Sequence, residues 1–291
     1  MLISIDGSGP DDDAEYRRAF AHSFLSQIDA QTTQAHHLHY RGPNLSGGHL
    51  LSLDEVARQV RSLYDSETAG DRAPQVFLAG YSRGAAAMVH VAYLLQPMGI
   101  DVDALFLFDA VDRSIDIGDS LPTGNVDVVP RNVYATYHAR RHPAAHSRDS
   151  FSNTALRAEV ADTYHQAFFL TTHGGMGGTP WGYAGLERGR HSLGDEYTGW
   201  GTTPTRREWI RRHGVLVEHG YLGGGDEEAL AATLMGVPSD GYTSLTMEQE
   251  EAGAAECARW MWRHLHSHQV LRAGSEPRLM PNRGHFGEER F

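Results

Sequence analysis

Lysine is missing from this 291-residue chain, in which all 25 basic side chains are arginine. Without a lysine amine, Schiff-base chemistry is excluded, and so is a P-loop built on Gly-Lys-Ser/Thr. Cysteine is almost missing too. Cys257 is the one thiol, so no disulfide closes within the chain and Cys–His zinc spacing is absent. Its Ala-rich setting, Ala254–Ala258, reads as a packed helix. No apolar run approaches the roughly 18 residues of a membrane-crossing helix. Positive charge is in deficit: the net charge is −12 with histidine neutral. That disfavours nucleic acid or anionic membrane as a non-specific partner. The opening Met1–Ile5 has neither the basic nor the apolar region of a signal peptide. The expected compartment is the cytoplasm, with signal-independent export as the other route.

What is present is enough apolar residue, 40%, to bury one large core in a single domain spanning 1–291. Short apolar runs alternate with helical patterns. Strands are expected at Leu2–Ile5, Ala35–Tyr40, Val76–Ala79, Ala104–Phe108, Asn132–Tyr137 and Phe168–Leu170. Helices are expected at Asp13–Ile28, after the capping box Ser52–Glu55, at Ala85–Leu95 and at Thr246–Gln269. This alternation predicts an α/β fold, a mainly parallel sheet of about six strands with helices on both faces. Residues 182–245, rich in Gly, Trp, Arg and Thr, read as a lid or a surface insertion.

The strongest local signal is Gly80-Tyr81-Ser82-Arg83-Gly84-Ala85. It has the form G-x-S-x-G and lies between a predicted strand and a predicted helix. In such an elbow the serine occupies a strained turn, and the flanking glycines let neighbouring backbone pass without Cβ clashes. The helix behind it offers N–H groups to a developing oxyanion.

A serine nucleophile needs a base, and the base needs an orienting acid. Asp109, at the carboxyl end of the fourth strand, is the first candidate acid, and Asp112 the second. Among 18 histidines, His173 stands out because it follows the last strand and opens the glycine-rich run Gly174-Gly175-Met176-Gly177-Gly178. His138, near the end of the fifth strand, is the alternative. For the oxyanion, the N–H of Arg83 pairs with that of Gly7 or Ser8, from the turn after the first strand. The histidines at 36, 37 and 39, and at 264, 266 and 268, read as solvated or dipole-compensating side chains. No metal site and no cofactor is expected.

These segments together resemble the α/β-hydrolase domains related to type VI secretion lipase effectors. Ile5-Asp6-Gly7-Ser8-Gly9 is similar to that family's Asp-Gly-Thr turn. Gly80–Ala85 is similar to its Gly-Phe-Ser-Arg-Gly-Ala elbow, and Phe108-Asp109-Ala110-Val111 to its Trp-Asp-Thr-Val segment. Phe168–Gly178 is similar to its strand and His-Ser-Asp-x-Gly-Gly-Gly loop. The likeness covers roughly residues 1–180. It implies Asp109 as acid, His173 as base, and hydrolysis of carboxylic esters, phospholipids among them. Two positions depart: Gly175 replaces the aspartate after the histidine, and Asp112 replaces a glycine.

The expectation is therefore a serine hydrolase that cleaves a small-molecule or lipid ester through an acyl-enzyme. Two other readings stay open: an inactive hydrolase shell that binds a partner, and an amide or thioester hydrolase with the same residues. Nothing in the sequence sets the oligomeric state.

Overall fold

Alternate residues of the central strands go to opposite sides, and this builds two cores. In the computed structural model, Phe77, Ala79 and Tyr81 of β3 (Phe77–Tyr81) join Ala104, Phe106 and Phe108 of β4 (Ala104–Phe108) in one cluster. Leu78, Leu105 and Leu107 point into the other. Both strands are fully buried, which is why they read as continuous apolar runs. Each fully buried Phe or Leu contributes about 1.5–3 kcal/mol of burial energy.

The structure describes residues 1–43, 52–68, 73–111, 126–145, 147, 153–179, 191–192, 242–243, 245 and 247–279. Apart from 191–192, 242–243 and Leu245, the expected lid or insertion over 182–245 lies outside them, as does Asp112.

The six-stranded sheet is parallel throughout. With β1 (Leu2–Ile5), β2 (His37–Tyr40), β5 (Thr136–Arg141) and β6 (Tyr164–Phe169), its order is β2-β1-β3-β4-β5-β6. Helices α3 (Leu53–Glu67) and α4 (Arg83–Leu95) cover one face. Helices α1 (Asp13–Ala19), α2 (Phe24–Gln31) and α6 (Met247–Ser267) cover the other. This is the expected α/β-hydrolase-like arrangement. The register places the ends of β3, β4 and β5 side by side, Tyr81 opposite Phe108 and Phe108 opposite Ala139. Residues that follow these strands meet at one edge, where open α/β sheets hold their ligands.

Several boundaries differ from the sequence expectation. The single helix expected at Asp13–Ile28 is two, because Ser23 caps a new helix by accepting from Ser26 N at 3.0 Å while its hydroxyl donates to Asp6 Oδ2. The fifth strand starts at Thr136 rather than Asn132. Asn132 instead donates to the carbonyls of Ala92 and Ile100, both at 3.0 Å, and so fixes a turn. The sixth strand begins at Tyr164, four residues early. It is an edge strand, so its Tyr-His-Gln opening needs no apolar alternation. Among the described residues no helix is long and apolar enough to cross a membrane.

Candidate active site

Ser82 lies between β3 and α4 with φ 56° and ψ −126°, a region that an L-residue occupies only under strain. Its backbone is clamped: Ser82 N donates to Phe108 O at 3.0 Å, and Val111 N donates to Ser82 O at 3.1 Å. The flanking glycines are sterically required. A Cβ on Gly80 would stand 2.4 Å from Ala85 Cα, and one on Gly84 would stand 2.3 Å from Ile5 O. The turn thus closes against α4 on one side and β1 on the other.

Asp109 follows β4, also at positive φ, 47°, and its N–H donates to Ala139 O at 2.7 Å. His173 opens the four-residue helix α5 (His173–Met176), which Thr172 caps by accepting from Gly175 N at 3.0 Å. The His173 N–H donates to Ser147 Oγ at 2.7 Å.

The three side chains form one hydrogen-bonded chain. The Ser82 hydroxyl donates to His173 Nε2 at 2.9 Å, and His173 Nδ1 donates to Asp109 Oδ2 at 2.6 Å. All three are buried, Asp109 completely. Burial pushes the Asp109 carboxyl up. The charge of Arg141 and the hydrogen bonds from His173 and Asn153 outweigh this and hold it well below the usual carboxylate range. Asp109 is therefore ionised, and an ionised carboxylate fixes the proton of the neutral imidazole on Nδ1, leaving Nε2 as the acceptor.

His138 is not brought to Ser82, which corrects its place as the alternative base. Its Nε2 accepts from Ala110 N at 3.1 Å, and its Nδ1 faces Ala155 O and Tyr164 Oη at 3.2 and 3.0 Å. Burial, reinforced by the charge of Arg140, pulls it down to about 3, so it is a neutral strut between strands.

The turn after β1 lies against the elbow. A Cβ on Gly7 would stand 3.2 Å from Ser82 Cβ and 2.6 Å from Tyr81 Cδ1. Arg83 Nε donates to Ser8 Oγ, and Arg83 begins α4, so its N–H belongs to the donor end of that helix. The Tyr16 hydroxyl donates to Gly7 O at 2.7 Å and accepts from Gly42 N at 2.7 Å. Gly7, Ser8 and Arg83 are thus gathered beside Ser82.

Other residues of the site were not anticipated. Asn153 donates to Asp109 Oδ1 at 2.7 Å, and Arg141 approaches Oδ2 with Nε at 3.2 Å. Glu250, buried on α6, accepts from the Thr172 hydroxyl, and its backbone carbonyl accepts from Thr171 Oγ1 at 2.9 Å. The loop that carries His173 therefore hangs on α6. Gly175 is explained by the same contact, since a Cβ there would stand 2.1 Å from Thr171 Oγ1. The one signal for the arginines was a charged pair, Arg140-Arg141, at the end of a strand. Glu250 had none, because Met247–Glu251 reads as the solvated start of a helix.

His39 is also more than a solvated histidine. Its Nε2 lies 3.3 Å from Asp6 Oδ2 and its Nδ1 2.8 Å from Ser4 Oγ. His264 stacks on Tyr137 with centroids 4.0 Å apart. Among the described residues no three His, Cys, Asp or Glu groups could hold a metal ion.

No protein-family profile matches the chain, and no curated protein matches it. Among solved structures, a cutinase-like protein from Cryptococcus sp. is similar over 50% of this chain and 54% of its own, at 16% identity and a TM-score of 0.20. The chain thus spans about half the length of that protein.

Proposed function

We propose that this chain is a serine hydrolase that transfers an acyl group from a carboxylic ester to water. The observation that carries the reading is the chain Ser82 Oγ–His173 Nε2–Asp109, with contacts of 2.9 and 2.6 Å and the serine held at positive φ.

Ser82 Oγ attacks the ester carbonyl as His173 Nε2 removes its proton. Asp109 keeps the imidazole in the required tautomer and stabilises the imidazolium without itself becoming protonated. The carbonyl oxygen, now negative, takes hydrogen bonds from the N–H of Arg83 and from that of Gly7 or Ser8. Each such donor is worth about 3 kcal/mol in the transition state. His173 returns the proton to the leaving alcohol, and the acyl-enzyme remains. Water then attacks it with His173 again as base, which frees the acid and restores Ser82. Lipid and phospholipid esters are the substrates that the resemblance to type VI lipase effectors implies.

The test is covalent labelling with a fluorophosphonate, read by mass on the native protein and on Ser82→Ala. The probe requires a serine activated by a base. The expected result is an adduct on the native protein alone. No adduct on either would put the inactive binding shell first. If an adduct forms, p-nitrophenyl esters of increasing acyl length, with amide and thioester counterparts, identify the bond cleaved.

A further inference from the structure

Three hydrogen bonds and an ion pair with Arg141 close on the Asp109 carboxylate, and Arg141 supplies two of these four contacts. Oδ2 receives His173 Nδ1 at 2.6 Å and Arg141 Nε at 3.2 Å. Oδ1 receives Asn153 Nδ2 at 2.7 Å and the Arg141 backbone N–H at 3.3 Å. The Asn153 carbonyl oxygen in turn accepts from Arg140 Nε at 3.3 Å, which settles which end of the amide faces Asp109. The Arg141 side chain is 7% exposed and that of Asp109 0%. A guanidinium cannot shed its proton in a protein, so the acid of this relay is permanently ion-paired.

This changes what protonation of His173 means. Beside a lone carboxylate, an imidazolium cancels a buried negative charge. Here the Arg141 charge already lies against the same carboxylate, so it opposes a second positive charge on His173. We propose that Arg141 is a positioning residue acting through Asp109: it fixes the face that the carboxylate presents and keeps His173 unprotonated in acidic solution, where a triad with an unpaired acid has already lost its base. The proposal rests on the reading of Ser82, His173 and Asp109 as an acyl-transfer site.

Other groups also face this cluster. Glu250 and Cys257 face it from α6, Tyr81 from β3, His138 and Arg140 from β5. The Glu250 carboxylate is bound by Thr172. His138 is held neutral, and burial pushes the Cys257 thiol up. The Tyr81 hydroxyl donates to the His173 carbonyl, and Arg140 stands behind Asn153. Of these, Arg140 also feels the Arg141 charge.

The experiment follows fluorophosphonate labelling rate against pH for the native protein, Arg141→Gln and Arg141→Lys. Removing a unit charge at this range is expected to move the acid limb of Arg141→Gln up by about one pH unit or more. Arg141→Lys, which keeps the charge, is expected to stay near the native profile. A folded Arg141→Gln protein with an unmoved acid limb overturns the proposal. A second measurement is imidazole nitrogen NMR of Ser82→Ala protein with and without Arg141→Gln, assigned with the variant that also carries His173→Gln. The His173 midpoint is expected to lie lower with Arg141 in place, and equal midpoints in the two folded proteins overturn the proposal. Failure of the native protein to label at any pH would count against the hydrolase reading, while the NMR midpoint would still decide the role of Arg141.

Discussion

The Tyr81 hydroxyl donates to the backbone carbonyl of His173 at 2.9 Å, and its ring centroid lies 5.2 Å from the imidazole. The residue immediately before Ser82 thus holds the loop that carries its partner. Gly177 packs on the same ring, since a Cβ there would stand 2.5 Å from Tyr81 Cε1. Elbow and histidine loop are seated by one aromatic side chain, and their spacing depends on it.

The two histidines separate cleanly by substitution. His173→Ala is expected to lower kcat by on the order of 10⁴-fold or more and to abolish fluorophosphonate labelling. His138→Gln is expected to keep labelling while shifting the urea midpoint downward, because it disturbs a buried contact between Ala110 N and Ala155 O. Loss of labelling in a folded His138→Gln protein would contradict this assignment.

Strain at Ser82 is measurable without any substrate. Ser82→Gly relieves the positive φ of 56°, whereas Ser82→Ala retains it. The glycine variant is expected to be the more stable of the two by about 1–2 kcal/mol, the relieved strain less the backbone entropy that glycine loses. Paired urea denaturation curves provide the check.

The sequence showed much of this architecture, and the reasons lie in particular residues. β3 and β4 are buried on both faces and so announce themselves as unbroken apolar runs. Ser82 and Asp109 follow a strand directly and His173 comes four residues after the end of one, so chain punctuation brings them to one sheet edge. β6 looks shorter in the sequence than it is, because an edge strand tolerates Tyr164, His165 and Gln166. The support around Asp109 was not legible. Asn153 and Arg141 reach it across 44 and 32 residues, and Glu250 reaches Thr172 across 78. No local periodicity encodes such contacts.

Thr172→Val tests the suspension of the histidine loop on α6. Valine neither caps α5 nor donates to Glu250. Loss of the cap is expected to cost about 1 kcal/mol of stability. Displacement of His173 is expected to lower kcat by on the order of 10²-fold with KM little changed. Thr172→Ser, which keeps the hydroxyl, is expected to restore most of the rate. Equal losses in both variants would sink the explanation.

His39 gives a pH dependence of stability. Burial pulls its imidazole down, but the hydrogen bond and charge of Asp6 outweigh this and hold it above the ordinary value of 6.5. A group raised on folding stabilises fully below its unfolded value and loses that contribution as pH rises through the folded value. The stability advantage of the native protein over His39→Gln is therefore expected to be largest below pH 6.5 and to shrink above the raised folded value. Urea midpoints of both proteins across this range measure it. An advantage that grows with pH would refute the pairing.

Gly42 and Gly84 bracket the turn after β1 with bare backbone. A Cβ on Gly42 would stand 2.1 Å from Gly7 O and 2.2 Å from Asp6 O, and one on Gly84 would stand 2.4 Å from Asp6 O. Peptide planes, not side chains, set the height of this turn beside Ser82. Ordinary mutational drift cannot adjust it in small steps, because the smallest step at either glycine is already a collision. On the proposed hydrolase reading, diversification of substrate choice would have to proceed around this fixed floor.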